Sequence, residues 1–305
     1  MKKIEHNSTL FPHFATLILF LTLFALISLD SFAKSHSFAA SSAAPNGKPQ
    51  SSLNFMAFNV QSFGRYKMSK PFVRKHLTKI LSSAHVSLVQ EIRDKSQVSI
   101  HQLHEQLKTY SGKNYEMALS KRLGKSTHKE QLAFFFDADR LELINSRELN
   151  DPFSFFHREP YVARFLEKKS GKELVVVGAH FSPQNVRRAL EGLEYYTTRL
   201  LNKSPSANLL IMGDLNADCD YISEEELTNS RLRSPKYRWW ISDDVDTTTS
   251  STDCAYDRLI TSNHLARYVS GRRPRAVNFQ QELGLTLDQA LDISDHYPVV
   301  IEFSF

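Results

Sequence analysis

Apolar residues in this chain come in short runs that alternate with amphipathic stretches, and the alternation begins at Leu53. Phe55-Met-Ala-Phe58 has no polar interruption, as expected of a strand covered on both faces. Residues 70–83 place Phe72, Val73, Leu77, Ile80 and Leu81 along one side of a helix. Apolar runs at 86–89, 132–136 and 174–178 predict further strands, residues 186–201 a second helix, and 209–212 another strand. Ser223 followed by Glu224, Glu225 and Glu226 has the composition of a helix start, with a capping hydroxyl and early acids. Leu259-Ile260 and residues 299–303 close the pattern as late strands. No internal repeat and no second linker interrupt it, so the simplest architecture is one mixed α/β domain with sheets covered by helices.

The first 52 residues follow another pattern. Lys2 and Lys3 precede an apolar run over residues 14–29, and small residues follow at Ser31 and Ala33. That order fits a cleaved secretory signal over residues 1–33, and the run is short for a membrane span, which needs ~20 apolar residues. Residues 34–52, rich in Ser, Ala, Pro and Asn, read as a flexible linker. Residues 53–305 are then the folded domain. Export also bears on Cys219 and Cys254, the chain's two cysteines: in an oxidising compartment a lone pair favours a disulfide. Two cysteines do not by themselves make a four-ligand structural zinc site. The charge of +5 and pI near 9.0 permit a polyanionic partner without requiring one.

Candidate chemistry sits where the apolar runs end. Asn59 follows the first and Glu91 the second, His180 follows residues 174–178, and Asp214 and Asn216 follow residues 209–212. Asp257 precedes one late strand, and Asp295-His296 precedes the last. Strand ends are where α/β folds gather their sites. Carboxylate and amide oxygens suit a hard cation such as Mg²⁺ or Mn²⁺, and histidines move protons near neutrality. Together they form an inventory for metal-assisted hydrolysis of a phosphate ester.

Asn59, Gln90-Glu91, His180, Gly213-Asp-Leu-Asn216 and Ser294-Asp-His296, in that order, resemble the endonuclease/exonuclease/phosphatase superfamily. That pattern identifies phosphoester hydrolysis better than a substrate, and it leaves lipid or inositol phosphates open. Phe58-Asn-Val-Gln-Ser-Phe-Gly64, Gln90-Glu-Ile-Arg-Asp94, Arg158-Glu-Pro160, Asp246-Thr-Thr248, Cys254-Ala-Tyr-Asp-Arg258 and Ile293-Ser-Asp-His-Tyr-Pro-Val299 resemble the deoxyribonuclease I family more narrowly. The likeness implies a four-layer α/β sandwich of two packed mixed β-sheets flanked by helices. It implies a secreted or periplasmic endonuclease that cuts DNA, preferably double-stranded, with little sequence specificity and leaves 5′-phosphate ends. The mature chain is expected to be monomeric and free of stable membrane association; actin binding cannot be mapped from the sequence.

The resemblance also assigns roles. Glu91 would be the principal metal ligand, with Asn59, Asp214, Asn216 and Asp295 helping to hold Mg²⁺ or Mn²⁺ and the scissile phosphate. His180 would pair with Glu130 and His296 with Asp257, each carboxylate orienting an imidazole, and Asp214 is a further candidate base. Arg93 would enter the minor groove, while Arg158 and the Tyr256 hydroxyl would touch phosphate. Asp246, Thr248 and Thr252 resemble a structural Ca²⁺ loop, and Cys219–Cys254 the family's main disulfide. Two DNA-facing positions depart from the family: Gln61 stands where an arginine usually meets phosphate, and His128 where a tyrosine usually packs on deoxyribose. A stretch with Asp151 and two consecutive Phe replaces the family's other calcium region, and no calcium is expected there.

Overall fold

The computed structural model describes residues 52–125 and 127–305. The expected signal peptide lies outside the described residues, as does all of the expected linker except Ser52, which already belongs to the first strand. That strand, β1 (Ser52–Phe63), is followed by α1 (Arg65–Ser69), α2 (Pro71–Leu81) and β2 (Val86–Ile92). Next come α3 (Val98–Ser111), β3 (Tyr115–Leu119), β4 (Gln131–Asp137), β5 (Leu141–Glu148) and β6 (Tyr161–Glu167). The middle of the chain forms β7 (Lys172–Gly178), α4 (Val186–Lys203), β8 (Leu209–Asp214), α5 (Glu224–Thr228) and β9 (Tyr237–Trp239). The last part forms β10 (Asp257–Ser262), α6 (Asn263–Ala266), β11 (Arg275–Ala276), α7 (Phe279–Glu282), α8 (Leu287–Ile293) and β12 (Val299–Ser304).

The strands make two six-stranded mixed sheets, ordered β11-β12-β1-β2-β4-β3 and β5-β6-β7-β8-β10-β9. Each has one parallel pair at its centre, β1 with β2 and β7 with β8, joined by a helical crossover. Phe55, Ala57, Leu88, Phe134 and Phe136 of the first sheet face Phe165, Val176, Leu210, Met212 and Leu259 of the second, forming the inter-sheet core. Alternate residues of the same strands, Met56, Phe58 and Phe135, turn the other way onto α2, α3, α7 and α8. On the far side of the second sheet, Val177, Leu209, Ile211 and Ile260 pack with Ala189, Leu190 and Leu193 of α4. The four layers expected from the sequence are therefore present. Central strands buried on both faces account for the continuous apolar runs.

Local chemistry sets the boundaries. Helix α2 begins at Pro71, one residue later than expected: Lys70, as the residue before a proline, is extended at φ −83°, ψ 108°. Ser223 caps α5 with Glu226 in a reciprocal capping box. The ladders of β1 and β2 are both irregular just where they approach the site, between Asn59 and Phe63 and between Val89 and Ile92. Such bulges re-aim side chains near active sites. Here they bring Gln61, Ser62 and Glu91 to positive φ (42°, 50° and 58°), each costing roughly 1 kcal/mol or more.

Candidate active site

Asp214, at the end of β8, is the hub of the strand-end residues. Its Oδ2 accepts from Asn59 Nδ2 at 3.0 Å and lies 3.4 Å from His180 Nε2 and 3.7 Å from His296 Nε2. Its Oδ1 accepts from the Asn216 backbone N–H at 2.9 Å, and Asn216 Nδ2 donates to the Phe181 carbonyl at 3.0 Å. Behind each imidazole stands the expected carboxylate. His180 Nδ1 lies 2.5 Å from Glu130 Oε1, and His296 Nδ1 lies 2.7 Å from Asp257 Oδ2. All five side chains are at least seven-eighths buried. Burial disfavours charge on His296, but Asp257 and Asp214 outweigh it and hold the imidazolium, raising its pKa to about 10. His180 is shifted in the same direction: burial opposes its charge, and Glu130 overcomes that opposition. The short His296–Asp257 contact is that of an imidazolium supported by a carboxylate.

Glu91 stands on the other side of Asn59. Its Oε1 accepts from Asn59 Nδ2 at 3.3 Å, and its Oε2 accepts from the Ser62 N–H at 2.7 Å and lies 3.1 Å from Arg93 Nη2. Burial pushes the carboxyl upward, but His180, the Ser62 N–H, Arg93 and Asn59 prevail and hold it at about 2, so it is ionised at neutral pH. Asp295 Oδ2 accepts from Gln61 Nε2 at 2.8 Å, while Asp295 Oδ1 is buried without a hydrogen-bond partner. Among the described residues no three His, Cys, Asp or Glu side chains close into a ready-made metal cage. The available donors are nevertheless hard oxygens, an ionised carboxylate and an orphaned carboxylate oxygen among them. That sparse set fits Mg²⁺, which is commonly held by one or two carboxylates together with water and substrate phosphate.

Several side chains that the sequence pattern placed on DNA have protein partners. Arg158 is mostly buried: Nε donates to the His180 carbonyl at 3.1 Å, Nη2 to the Phe181 carbonyl at 2.6 Å, and Nη1 lies 3.4 Å from Glu130 Oε2. It thus supports the His180 pair, and only its remaining N–H groups could reach phosphate. Arg93 is tied to Glu91, and Gln61 points inward to Asp295. Tyr256 stacks on Tyr221 at 5.2 Å and sits 6.3 Å from the His296 ring. His128 is exposed in the loop before Glu130.

The threonine-rich loop braces the same centre. Asp246 Oδ1 accepts from Thr248 N and Oγ1 at 2.8 and 2.7 Å, and Thr252 Oγ1 lies 3.1 Å from Thr248 Oγ1. Thr248 forms a bridge with His296, and Thr247 Oγ1 accepts from the Asp257 N–H at 3.1 Å. Cys219 and Cys254 are joined, with Cα atoms 6.0 Å apart, tying the segment after Asn216 to the one before Asp257. In the stretch with Asp151, that carboxylate accepts from the N–H groups of Phe155 and Phe156 at 3.0 and 2.9 Å, so the loop is closed by its own backbone.

Three supporting residues had no assigned role in the sequence. Gln90 crosses between the sheets: its amide donates to the Ala179 carbonyl at 3.0 Å and accepts from the Asp214 N–H at 3.2 Å. A polar residue inside an apolar run, beside a candidate ligand, was the available signal. Thr247 lies inside Asp246-Thr-Thr248, where one threonine among several carries no signal of its own. Lys67 gave no signal, since lysine on a short amphipathic segment is ordinarily solvated; here it is 8% exposed. Burial lowers its pKa to about 8, against the pull of Asp295 and Glu91.

Residues 56–296 match the Endonuclease/Exonuclease/phosphatase family. Deoxyribonuclease-1-like 2 of Mus musculus is 36% identical over 254 residues, covering 82% of this chain and 91% of the relative. Deoxyribonuclease-1 of Sus scrofa is 34% identical over 258 residues, with the same coverages of 82% and 91%. Among solved structures, D. rerio TDP2 complexed with single strand DNA product superposes with a TM-score of 0.60 at 15% identity, over 83% of this chain and 99% of that one. The human Nocturnin catalytic domain with bound sulfate anion gives 0.57 at 18% identity, over 84% and 97%. These two share the fold. With the match spanning nearly the whole described domain, the chain belongs to the endonuclease/exonuclease/phosphatase family, in its deoxyribonuclease I branch.

Proposed function

We propose that this chain is a secreted, divalent-metal-dependent endonuclease that hydrolyses DNA phosphodiester bonds with little sequence preference and leaves 5′-phosphate ends. The observation that carries the proposal is the convergence of two buried histidine–carboxylate pairs on Asp214, beside the ionised carboxylate of Glu91. The DNA substrate is supported by the relatives, which are named deoxyribonucleases. Secretion is supported by the N-terminal pattern over residues 1–33, and it agrees with a disulfide in the domain.

In this proposal Glu91, Asn59 and Asp295 hold Mg²⁺ or Mn²⁺, with Asp214 and Asn216 completing the set toward the phosphate. The cation would neutralise charge on the phosphoryl oxygens as it builds in the transition state. The chain's own groups handle the protons. One histidine helps Asp214 orient a water, Asp214 takes the water's proton as the oxygen attacks phosphorus, and the opposite imidazolium donates to the departing 3′-oxygen. Glu130 and Asp257 keep each ring in one tautomer and stabilise its charged form. Arg93 beside Glu91, the Tyr256 hydroxyl, His128 and the remaining N–H groups of Arg158 provide the grip on DNA. Asp246, Thr248 and Thr252 hold a structural Ca²⁺ next to His296.

The test uses supercoiled plasmid, the secreted chain, Mg²⁺ with Ca²⁺, and parallel reactions with EDTA and with His180→Ala. Nicking that requires metal and drops at least a thousandfold in the variant supports the reading. Intact plasmid across pH and salt overturns it.

A further inference from the structure

Beneath Asp295 the fold buries a lysine that no step above uses. Lys67, on α1, donates from Nζ to the Val60 carbonyl at 2.8 Å and to the Ile293 carbonyl at 2.7 Å. These acceptors belong to the two segments that carry Asn59 and Asp295. Its third N–H reaches Gln61 Oε1 at 3.4 Å, and Gln61 Nε2 in turn donates to Asp295 Oδ2 at 2.8 Å. No carboxylate among the described residues lies in ion-pair contact with Lys67, although burial of a charge ordinarily demands one. The Gln61 backbone N–H is also held, by Asn59 Oδ1 at 3.0 Å, at φ 42°. Both ends of the side-chain amide are therefore spoken for.

We propose that Lys67 and Gln61 are positioning residues for Asp295, forming an ammonium–amide–carboxylate relay that supports the site from below. The amide is the informative part. An ammonium hydrogen-bonded directly to Asp295, in addition to the His296 ring 3.8 Å from Oδ1, would neutralise it further and compete for its oxygens. A neutral amide instead fixes Oδ2 with one hydrogen bond and passes on only part of the lysine's polarisation, while Oδ1, without a hydrogen-bond partner and 3.8 Å from His296 Nε2, stays on the side of the site. The ammonium meanwhile locks the end of β1 to the end of α8, so Asn59 and Asp295 keep one separation. This assigns Gln61 to the interior of the site instead of to the DNA backbone. The inference rests on the proposed hydrolysis for its kinetic arm, but its binding arms do not.

Three measurements on Gln61→Leu, which keeps the bulk and removes the amide, test the relay, with Lys67→Met as the second variant. First, kcat on DNA should fall ten- to a hundredfold while KM stays within threefold, because about 1 Å of misplacement near the reacting atoms can cost 10²-fold. Second, affinity for uncleaved duplex in EDTA, and its slope against log salt, should match wild type. Third, calorimetric titration of Mn²⁺ into DNA-free protein should show weakening of at least threefold. An unchanged kcat together with unchanged Mn²⁺ affinity overturns the relay. So does a raised KM with a salt slope reduced by about one, the mark of a lost phosphate contact. If Lys67→Met does not fold, Gln61→Leu alone decides. If wild-type protein fails to nick DNA, the hydrolase reading falls, and the Mn²⁺ titration still tests the relay.

Discussion

Gly213 precedes the hub carboxylate Asp214, and replacing it with alanine probes how tightly the sheet fixes that carboxylate. Two costs can be worked out from the structure. The residue has φ +130°, a conformation that side chains rarely adopt, which costs about 1–3 kcal/mol. A Cβ there would also lie 2.2 Å from the Ala179 carbonyl oxygen and 3.1 Å from Gln90 Nε2, so β7 and β8 would have to part by about 1 Å. Overpacking of this kind adds about 1–3 kcal/mol, for a total loss of about 2–6 kcal/mol. Gly112 supplies the control. It too has positive φ (66°), but an added Cβ meets nothing within 4 Å, so Gly112→Ala should cost only about 1 kcal/mol. Urea denaturation of both variants separates the clash from the backbone term. The displacement falls next to Asp214 and on the partner of Gln90, so Gly213→Ala should also lose about 10²-fold in plasmid nicking while Gly112→Ala loses none. Equal stabilities for the two variants, or nicking by Gly213→Ala within threefold of wild type, would refute the argument.

Replacing Cys219 and Cys254 by alanine opens a loop of sequence separation 35, which should cost roughly 3–4 kcal/mol and lower Tm by about 10 °C; a shift below about 2 °C in differential scanning calorimetry would contradict this. Asp257→Asn removes the charge that holds His296 protonated near pH 10 while leaving the burial that opposes it. We expect kcat to fall by about 10³–10⁴ at pH 7, with residual activity rising toward acid pH and DNA affinity kept; a wild-type pH profile would show the pair to be dispensable. His85, lowered to about 4 by burial and then by Arg140, stays neutral in the fold while the unfolded chain takes up a proton near 6.5. Its contribution is complete above 6.5 and is lost as pH falls toward 4. Thermal melts across that window should therefore flatten in His85→Asn, whose amide oxygen can accept from the Asn54 N–H in place of Nδ1, and an unchanged slope would exclude the assignment.

Much of this was legible in the sequence because the central strands are apolar on both faces and their ends are abruptly polar. β1, β2, β4, β7 and β8 were visible for that reason, and so were Asn59, Glu91, His180 and Asp214 behind them. Strands such as β5, with one buried residue, and β6, which alternates buried and half-buried ones, blend into polar neighbours. Short helices α6, α7 and α8 span too few residues for a period to show. Within the site, residue type carried the histidines and carboxylates but not the direction of the long side chains. Arg158 and Gln61 could reach outward or inward, and only the packed loops decide: the carbonyls of His180 and Phe181 draw Arg158 in. Lys67 was beyond reach for the same reason, since its acceptors are main-chain oxygens that carry no sequence signature.

The two histidine–carboxylate pairs are each assembled across the sandwich. Glu130 leads into β4 of the first sheet while His180 follows β7 of the second; Asp257 opens β10 of the second while His296 precedes β12 of the first. Neither sheet owns a complete pair. Catalytic competence is thereby made an all-or-none property of inter-sheet registry. If the proposed mechanism holds, neither half of the chain, separated from the other, could retain a fraction of the activity, and a molecule that wedged the layers apart by about an ångström would disable both histidine–carboxylate pairs at once.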